Sequence, residues 1–452
     1  MKPAAAPTRL SKRRLREDLV LQTVLEVYGA IRREGRLADR ALEFVLRAKK
    51  HLYSNERRAV AERVYALLRR QRWVDVLVET AVPHFSTLHP AEQDAYRVGL
   101  ARWLDGTEAA EAFAGLPRKV DVTKLEAARA SWEKKPLAER LAVTASLPDF
   151  LAEAFIAQWG DEATALTQAM NQRAPLMARV NTLKGDREAL RAKLKAEGIF
   201  STPTLHSPLG LTLDTRVNAF GTDAFREGFF EIQDEGSQLL GLLVDAPPKC
   251  VIDACAGAGG KTLQLAAFMK NRGELFAFDI DARRLEDLRK RARRAGVHNV
   301  RAEALASDID EAAVAQMSGK ADRVLLDAPC SGSGTLRRKP DARYRLKPED
   351  PAMFAAKQLA LCLRWADAVK PGGRLIYGTC SVLKIENRDV VAAFLKERPD
   401  FSVMPVSQVL GAELAQALGC PEYLELLPHR HGTDGFFGAV LVRATGALPL
   451  SH

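Results

Sequence analysis

The chain predicts an α/β protein: a doubly wound, mainly parallel sheet with helices on both faces, preceded by a small α+β module and an all-helical N-terminal domain. Three observations lead there. From about residue 246 onward, short apolar runs alternate with amphipathic stretches, which is the rhythm of strand–helix units feeding a parallel sheet. The first 145 or so residues carry only helical stripes. Between 146 and 245 the pattern is mixed, with strand-like runs, turn residues and a helix. The division expected is therefore 1–145, 146–245 and 246–452, and 452 residues exceed what one hydrophobic core usually serves.

In the N-terminal part, Val20, Val24, Val27, Tyr28 and Ile31 fall on one helical face, and so do Val60, Val64, Leu67 and Leu68. Arginines stand between the stripes, as in Arg57-Arg58 and Arg69-Arg70-Gln71-Arg72. Each alone reads as part of a solvated helix face; together they suit a basic bundle that meets a polyanion. In the middle part, the apolar stretch Leu176–Asn181 precedes a helix from Arg187 to Glu197 that ends at Gly198, a C-cap, and Gly210–Leu213 reads as a strand. In the last part the strands are Val251–Asp253, Leu275–Phe278, Val324–Leu326 and Leu375–Tyr377, separated by helices such as Leu263–Met269 and Asp281–Ala295. Ser402–Val406 and Gly438–Val442 predict an antiparallel edge. Sheets of this type bind ligands at the carboxyl ends of their strands.

Composition narrows the function classes. A hydrophobic fraction of 47% with 27% charged residues is that of an ordinary globular protein. No window approaches eighteen uninterrupted apolar residues, and the run after the basic N-terminus is broken by Gln22 and Glu26. Neither a membrane span nor an export signal is expected, and the location expected is cytoplasmic. Lysine and arginine total 67 against 57 acids, a net charge of +10 that suits a polyanionic partner. The six cysteines include no C-x-x-C pair, and the only close histidines are His429 and His431, so no structural zinc is expected.

Residues 251–262 read VIDACAGAGGKT: an apolar strand, an acid, a glycine-rich turn and a helix start. The loop Cys255, Ala256, Gly257, Ala258, Gly259, Gly260 and Lys261 lets the backbone approach a ligand, and helix N-terminal amides favour its anionic part. Asp279 follows the second strand, 22 residues after Gly257, where a carboxylate can take both hydroxyls of a ribose. Asp308 follows a third apparent strand, Val300–Leu305. Acids at successive strand ends suit an adenosine-bearing ligand. Asp281 falls where a helix N-cap belongs, and Lys261 reads first as a helix-terminal lysine facing solvent, with a part in holding the site as the alternative. The pattern G-x-G-x-x-G is absent, which disfavours a nicotinamide-dependent oxidoreductase.

Residues 321–335, ADRVLLDAPCSGSGT, and 371–381, PGGRLIYGTCS, are each a buried-type strand that runs into a small loop carrying a cysteine. Cys330 and Cys380 are thus expected at neighbouring strand ends, facing one cleft, where a thiolate pKa can be lowered.

The strings Asp327-Ala328-Pro329-Cys330-Ser331-Gly332 and Thr379-Cys380-Ser381, followed by Glu386-Asn387, resemble signatures of the Sun/Nop (RsmB-like) family of RNA cytosine-5 methyltransferases. Two cysteine motifs in that order set this family apart from DNA cytosine methyltransferases, whose nucleophile is the Pro-Cys cysteine. The resemblance extends to Gln233–Ser237, Asp253–Ala256, Gly259–Thr262 and His431–Phe437, and covers roughly residues 175–445. The N-terminal bundle is similar, loosely, to a NusB-like RNA-binding domain. One departure is Gly257-Ala258 where the family has Ala-Pro, which makes the cofactor loop more flexible.

The resemblance implies a Rossmann-like class I methyltransferase domain behind an α+β RNA-binding module, with S-adenosylmethionine as cofactor. It makes Cys380 the nucleophile on carbon 6 of cytosine, Cys330 the residue linked to release, as base or as promoter of product departure, and Asp327 the partner of ring nitrogen 3 and the amino group, also lining the cofactor site. The RNA expected is 16S ribosomal RNA, acted on by a monomer. Transfer RNA methylation and a non-catalytic RNA-binding role in ribosome assembly are the alternatives. The target base must be flipped out to be reached. The loop Leu336–Arg345, which joins cations to Tyr344, is expected to grip the RNA around it.

Overall fold

The computed structural model describes residues 14–214, 218–247, 249–307 and 311–446. They form two compact units. One takes in residues 1–153 together with 339–345; the other takes in 154–338 and 346–452.

The first unit is helical, with Glu17–Arg32, Ala38–Ala48, Ser54–Arg69, Gln71–Ala81 and Pro90–Leu104 as its main helices. The two stripes read from the sequence form its core: Val20, Val27, Tyr28, Val60, Val64 and Leu68 are completely buried. Only Ile31 sits at the margin. Several of the singled-out arginines bind protein. Arg57 donates to the carbonyls of Leu46, Lys49 and Leu52, Arg70 pairs with Asp105, and Arg72 pairs with Asp149. Arg58 is exposed.

Residues 339–345 correct an expectation. Arg343 is fully buried and donates to the carbonyls of Ala145 (2.6 Å) and Arg69 (3.2 Å). The hydroxyl of Tyr344 donates to Leu68 O at 2.5 Å. These side chains satisfy helix-end carbonyls, which a buried helix terminus must have, so neither is available to grip RNA.

The second unit holds two sheets. The smaller is antiparallel, from β1 (Met177–Val180), β2 (Ser201–Pro203), β3 (Gly210–Leu213) and β4 (Phe230–Ile232), in the order β2-β3-β1-β4. The helix Arg187–Ala196 packs on it through Leu190 and Leu194, and Gly198 ends that helix with a φ of 79°. The larger sheet contains β5 (Cys250–Asp253), β6 (Glu274–Asp279), β7 (Val300–Ala304), β8 (Ala321–Asp327), β9 (Val369–Thr379), β10 (Phe401–Met404), β11 (Leu424–Leu426) and β12 (Phe436–Arg443). Its order is β10-β12-β9-β8-β5-β6-β7, with β11 also on β12. The pairs among β5 to β9 are parallel, and β12 lies antiparallel to β9, as the terminal runs predicted.

Burial on both faces explains the near-continuous apolar strands. Val251, Leu325 and Ile376 enter the core on one face; Ile252, Val324, Leu326 and Tyr377 enter that on the other. The strand order reverses between β5 and β8. The loops at that switch point hold the residues that follow.

Candidate active site

The turn after β5 is shaped by glycine. Gly257 and Gly259 have φ of 53° and 85°, and a Cβ at Gly259 would come within 2.6 Å of Leu288. The helix Gly260–Phe268 starts directly behind the turn. At the end of β6, each oxygen of Asp279 accepts one backbone N–H at 2.8 Å, from Gly257 and from Asp281. These bonds fix the carboxylate while leaving its remaining lone pairs for a ligand. Asp281 is the N-cap of the next helix, accepting from Arg283 and Arg284 N–H.

A cavity of about 460 Å³ opens beside this carboxylate, a size in the range of cofactor sites. Of the residues expected there, Cys255, Ala256, Gly257, Ala258, Asp279 and Asp327 line it. Gly259, Gly260 and Lys261 stand behind it as the turn and helix start, and Asp308 lies outside the described residues. Sequence reasoning missed Ile280, Leu361 and Trp365, which form apolar wall. Ile280 was the one with a signal, since it directly follows the strand-end acid. A Cβ on Gly257 would meet nothing within 4 Å, so the loop is open where it lines the cavity. A carboxylate poised for a diol, an apolar wall and an open glycine turn fit an adenosine-bearing ligand.

Lys261 corrects a second expectation. It is 8% exposed rather than facing solvent, and its Nζ donates to Asp327 Oδ2 at 2.6 Å. The ring of Phe436 lies 5.5 Å from the same ammonium. Asp253, at the end of β5, accepts from the hydroxyl of Thr262 at 2.7 Å; burial raises its carboxyl to about 7.

Cys330 and Cys380 follow the adjacent parallel strands β8 and β9, and their sulfurs are 3.2 Å apart. Both are free thiols. Cys330 does not have the lowered pKa expected from sequence. Its contact with Cys380 and its burial hold the thiol well above the ordinary cysteine value. Gly334 N–H donates to Cys380 O at 2.9 Å, and Gly435 N–H to Gly334 O at 2.8 Å, an approach so close that a Cβ on Gly334 would collide with Gly435. Glu386 and Asn387 complete the loops. Asn387 accepts from Thr379 Oγ1 (2.6 Å) and donates to Ser381 O (3.0 Å). Glu386 is completely buried and takes the hydroxyls of both Ser331 and Ser381.

Arg337 and Arg338, also expected to meet RNA, are committed to Asp234 and Asp434. Among the described residues no cluster of three His, Cys, Asp or Glu side chains converges to hold a metal, and no helix is long and apolar enough to cross a membrane.

Comparison with known proteins places these features in context. A family model described as 16S rRNA methyltransferase RsmB/F matches residues 242–442, and one for an RsmF/B-like methyltransferase ferredoxin-like domain matches residues 147–219. A probable ribosomal RNA small subunit methyltransferase B of Synechocystis is 31% identical over 428 residues, covering 90% of this chain and 94% of that one. A protein of the same description from Bacillus subtilis is 35% identical over 300 residues, and the match spans 66% of each chain. Among solved structures, that of PH0851 has a TM-score of 0.76 at 27% identity and covers 93% of this chain and 98% of its own. NSun6 from Pyrococcus horikoshii, solved with SFG, shares the fold with a TM-score of 0.56 at 22% identity, over 66% of this chain and 99% of its own.

Proposed function

The chain belongs to the RsmB/F family of rRNA methyltransferases, and on that premise we propose that it methylates carbon 5 of a cytosine in 16S ribosomal RNA through a covalent adduct on Cys380. The observation that carries this reading is the pair of sulfurs 3.2 Å apart at neighbouring strand ends, in a unit whose switch-point cavity presents Asp279 and Asp327.

The methyl group comes from S-adenosylmethionine, which carries it as an electrophile on a positively charged sulfur. Asp279 would hold the ribose hydroxyls, Gly257 and Ala258 would lie against the ligand, and Ile280, Leu361 and Trp365 would pack its apolar parts. Asp308 is assigned to the same ligand.

Carbon 5 of cytosine is a weak nucleophile. When the Cys380 thiolate adds to carbon 6, the electron pair of the 5,6 double bond shifts toward the ring, and carbon 5 becomes an enamine carbon able to take a methyl group. Asp327 accepts from the amino group of the base beside ring nitrogen 3. Lys261, 2.6 Å from Asp327, offsets the negative charge that addition builds on the ring. After transfer, carbon 5 gives up its proton to solvent, the C–H pair reforms the double bond, and the C6–S pair leaves on Cys380. Cys330 is held as a thiol at 3.2 Å, so it can donate its proton to the departing sulfur. Cys255 lines the cofactor cavity, and buried Cys362 and Cys420 are assigned no part in this chemistry.

The helical unit and the four-stranded module would supply phosphate contacts from surface cations such as Arg58. Bisulfite sequencing of ribosomal and transfer RNAs from cells with and without the gene tests the substrate. A single 16S cytosine that loses protection in the knockout is expected. Loss confined to transfer RNA, or no change, would contradict the proposal.

A further inference from the structure

Glu386 hydrogen-bonds to both cysteine loops, and the mechanism above does not use it. Its side chain is completely buried, and among the described residues no lysine, arginine or histidine pairs with it. Four donors converge on it instead. Oε1 takes the N–H of Ser331 (2.8 Å) and an amide hydrogen of Gln358 (3.3 Å); Oε2 takes the hydroxyls of Ser331 and Ser381 (2.5 Å each). Ser331 directly follows Cys330, and Ser381 directly follows Cys380. The same Gln358 amide bonds Pro329 O at 2.9 Å, on the other side of Cys330. Burying a carboxylate without a cation is costly, and a residue type chosen only for packing would avoid it.

We propose that Glu386 is a positioning residue of the reaction: its carboxylate ties the Cys330 loop to the Cys380 loop and sets the distance and the division of labour between the two sulfurs. The proposal deepens the reading of Cys380 as nucleophile and Cys330 as release residue, and rests on it. Two effects act together. The bonds to consecutive-residue hydroxyls and amides fix both loops at one point, so the sulfurs meet without a covalent link. The negative charge of Glu386 opposes ionisation of Cys330, in the same direction as Cys380 and burial, while the N–H of Gly332 acts weakly the other way. Tyr377, whose one hydroxyl hydrogen is shared between Gln358 Oε1 (3.0 Å) and Glu386 O (2.5 Å), and Cys362 are further titratable groups packed there, and burial strongly opposes the ionisation of both. Cys330 therefore stays a proton donor while Cys380 attacks and leaves.

The test uses the full-length protein with three variants. Glu386→Gln is nearly isosteric: its oxygen can keep the two N–H donors, and its NH₂ can donate to serine hydroxyls that rotate to accept. Alkylation of Cys330 by iodoacetamide, followed by mass spectrometry against pH, reports its ionisation without RNA. In Glu386→Gln the midpoint should fall, with faster alkylation at a given pH below it, and single-turnover methylation of an unmodified 16S transcript should fall by about tenfold or more. The double variant Ser331→Ala/Ser381→Ala keeps the charge and cuts the ties, so methylation should fall with the midpoint unmoved. Restoring the carboxylate in Glu386→Asp should recover the midpoint but only part of the rate. Unchanged methylation in Glu386→Gln, or in the serine variant, would overturn the proposal, whatever the midpoint does. The underlying reading is tested separately, because it fails if Cys330→Ala traps no RNA, whereas the Glu386 assignment fails if its variants leave the methylation rate as it was.

Discussion

At the scale of residues, Asp253 shows how burial writes a pH dependence into the fold. Its carboxyl is raised to about 7, chiefly by desolvation and further by the charge of Asp327. The folded state thus binds this proton more tightly than the unfolded chain, where an aspartate titrates near 3.9. The stability this proton contributes is fully present below about pH 4 and is lost as the pH rises toward 7. Asn in its place can still accept from Thr262 and has no proton to lose. Thermal midpoints measured from pH 4 to 8 should therefore decline less in Asp253→Asn than in the wild-type protein. Parallel curves would contradict the assignment. Lys261 and Cys330 teach a related lesson: their types and places were legible in the sequence, but the partners that surround them were not. A lysine at a helix start faces solvent until a carboxylate 66 positions away is brought to 2.6 Å. A strand-end thiol is acidic until a second sulfur and a buried glutamate approach it.

At the scale of elements, period and turn chemistry made the strands readable. Val251, Ile252 and Val324–Leu326 alternate between the two cores, and Gly257, Gly259 and Gly198 stand where positive φ is required. The basic loop after Cys330 was misread because its partners are remote in sequence. Arg338 meets Asp234 across 104 positions, and Arg337 meets Asp434 across 97. Charge alone suggested an RNA grip; the fold instead spends these guanidiniums on a buried four-residue network. Asp434 is 1% exposed and Arg337 5%. Removing one partner of such a pair leaves an uncompensated buried charge, costing roughly 3–5 kcal/mol. Asp434→Ala should lower stability by about that amount in denaturant titration, whereas Arg226→Ala, at the exposed surface pair with Asp223, should change it by less than about 1 kcal/mol. Equal effects would show that the network is not a structural clamp.

At the scale of the whole molecule, the sequence carried the order of the parts and the class of chemistry: a helical unit, a small antiparallel module, and a parallel sheet with two cysteine loops at adjacent strand ends. The place of β12 between β9 and β10, and the return of residues 339–345 to the helical unit, are properties of topology that local patterns do not encode. The net charge of +10 agrees with a polyanionic substrate but is spent partly inside, on Arg343 and on Arg179, whose guanidinium is lowered to about 9 by burial. The central claim is that the two cysteines do different work from 3.2 Å apart. Incubating unmodified 16S transcript and S-adenosylmethionine with each cysteine variant, then running a denaturing gel, tests it most directly. Removing the nucleophile blocks entry to the pathway, whereas removing the release residue blocks only exit. A denaturation-resistant RNA complex is expected with Cys330→Ala and none with Cys380→Ala. A complex with Cys380→Ala and none with Cys330→Ala, or full activity without a complex in either, would contradict it.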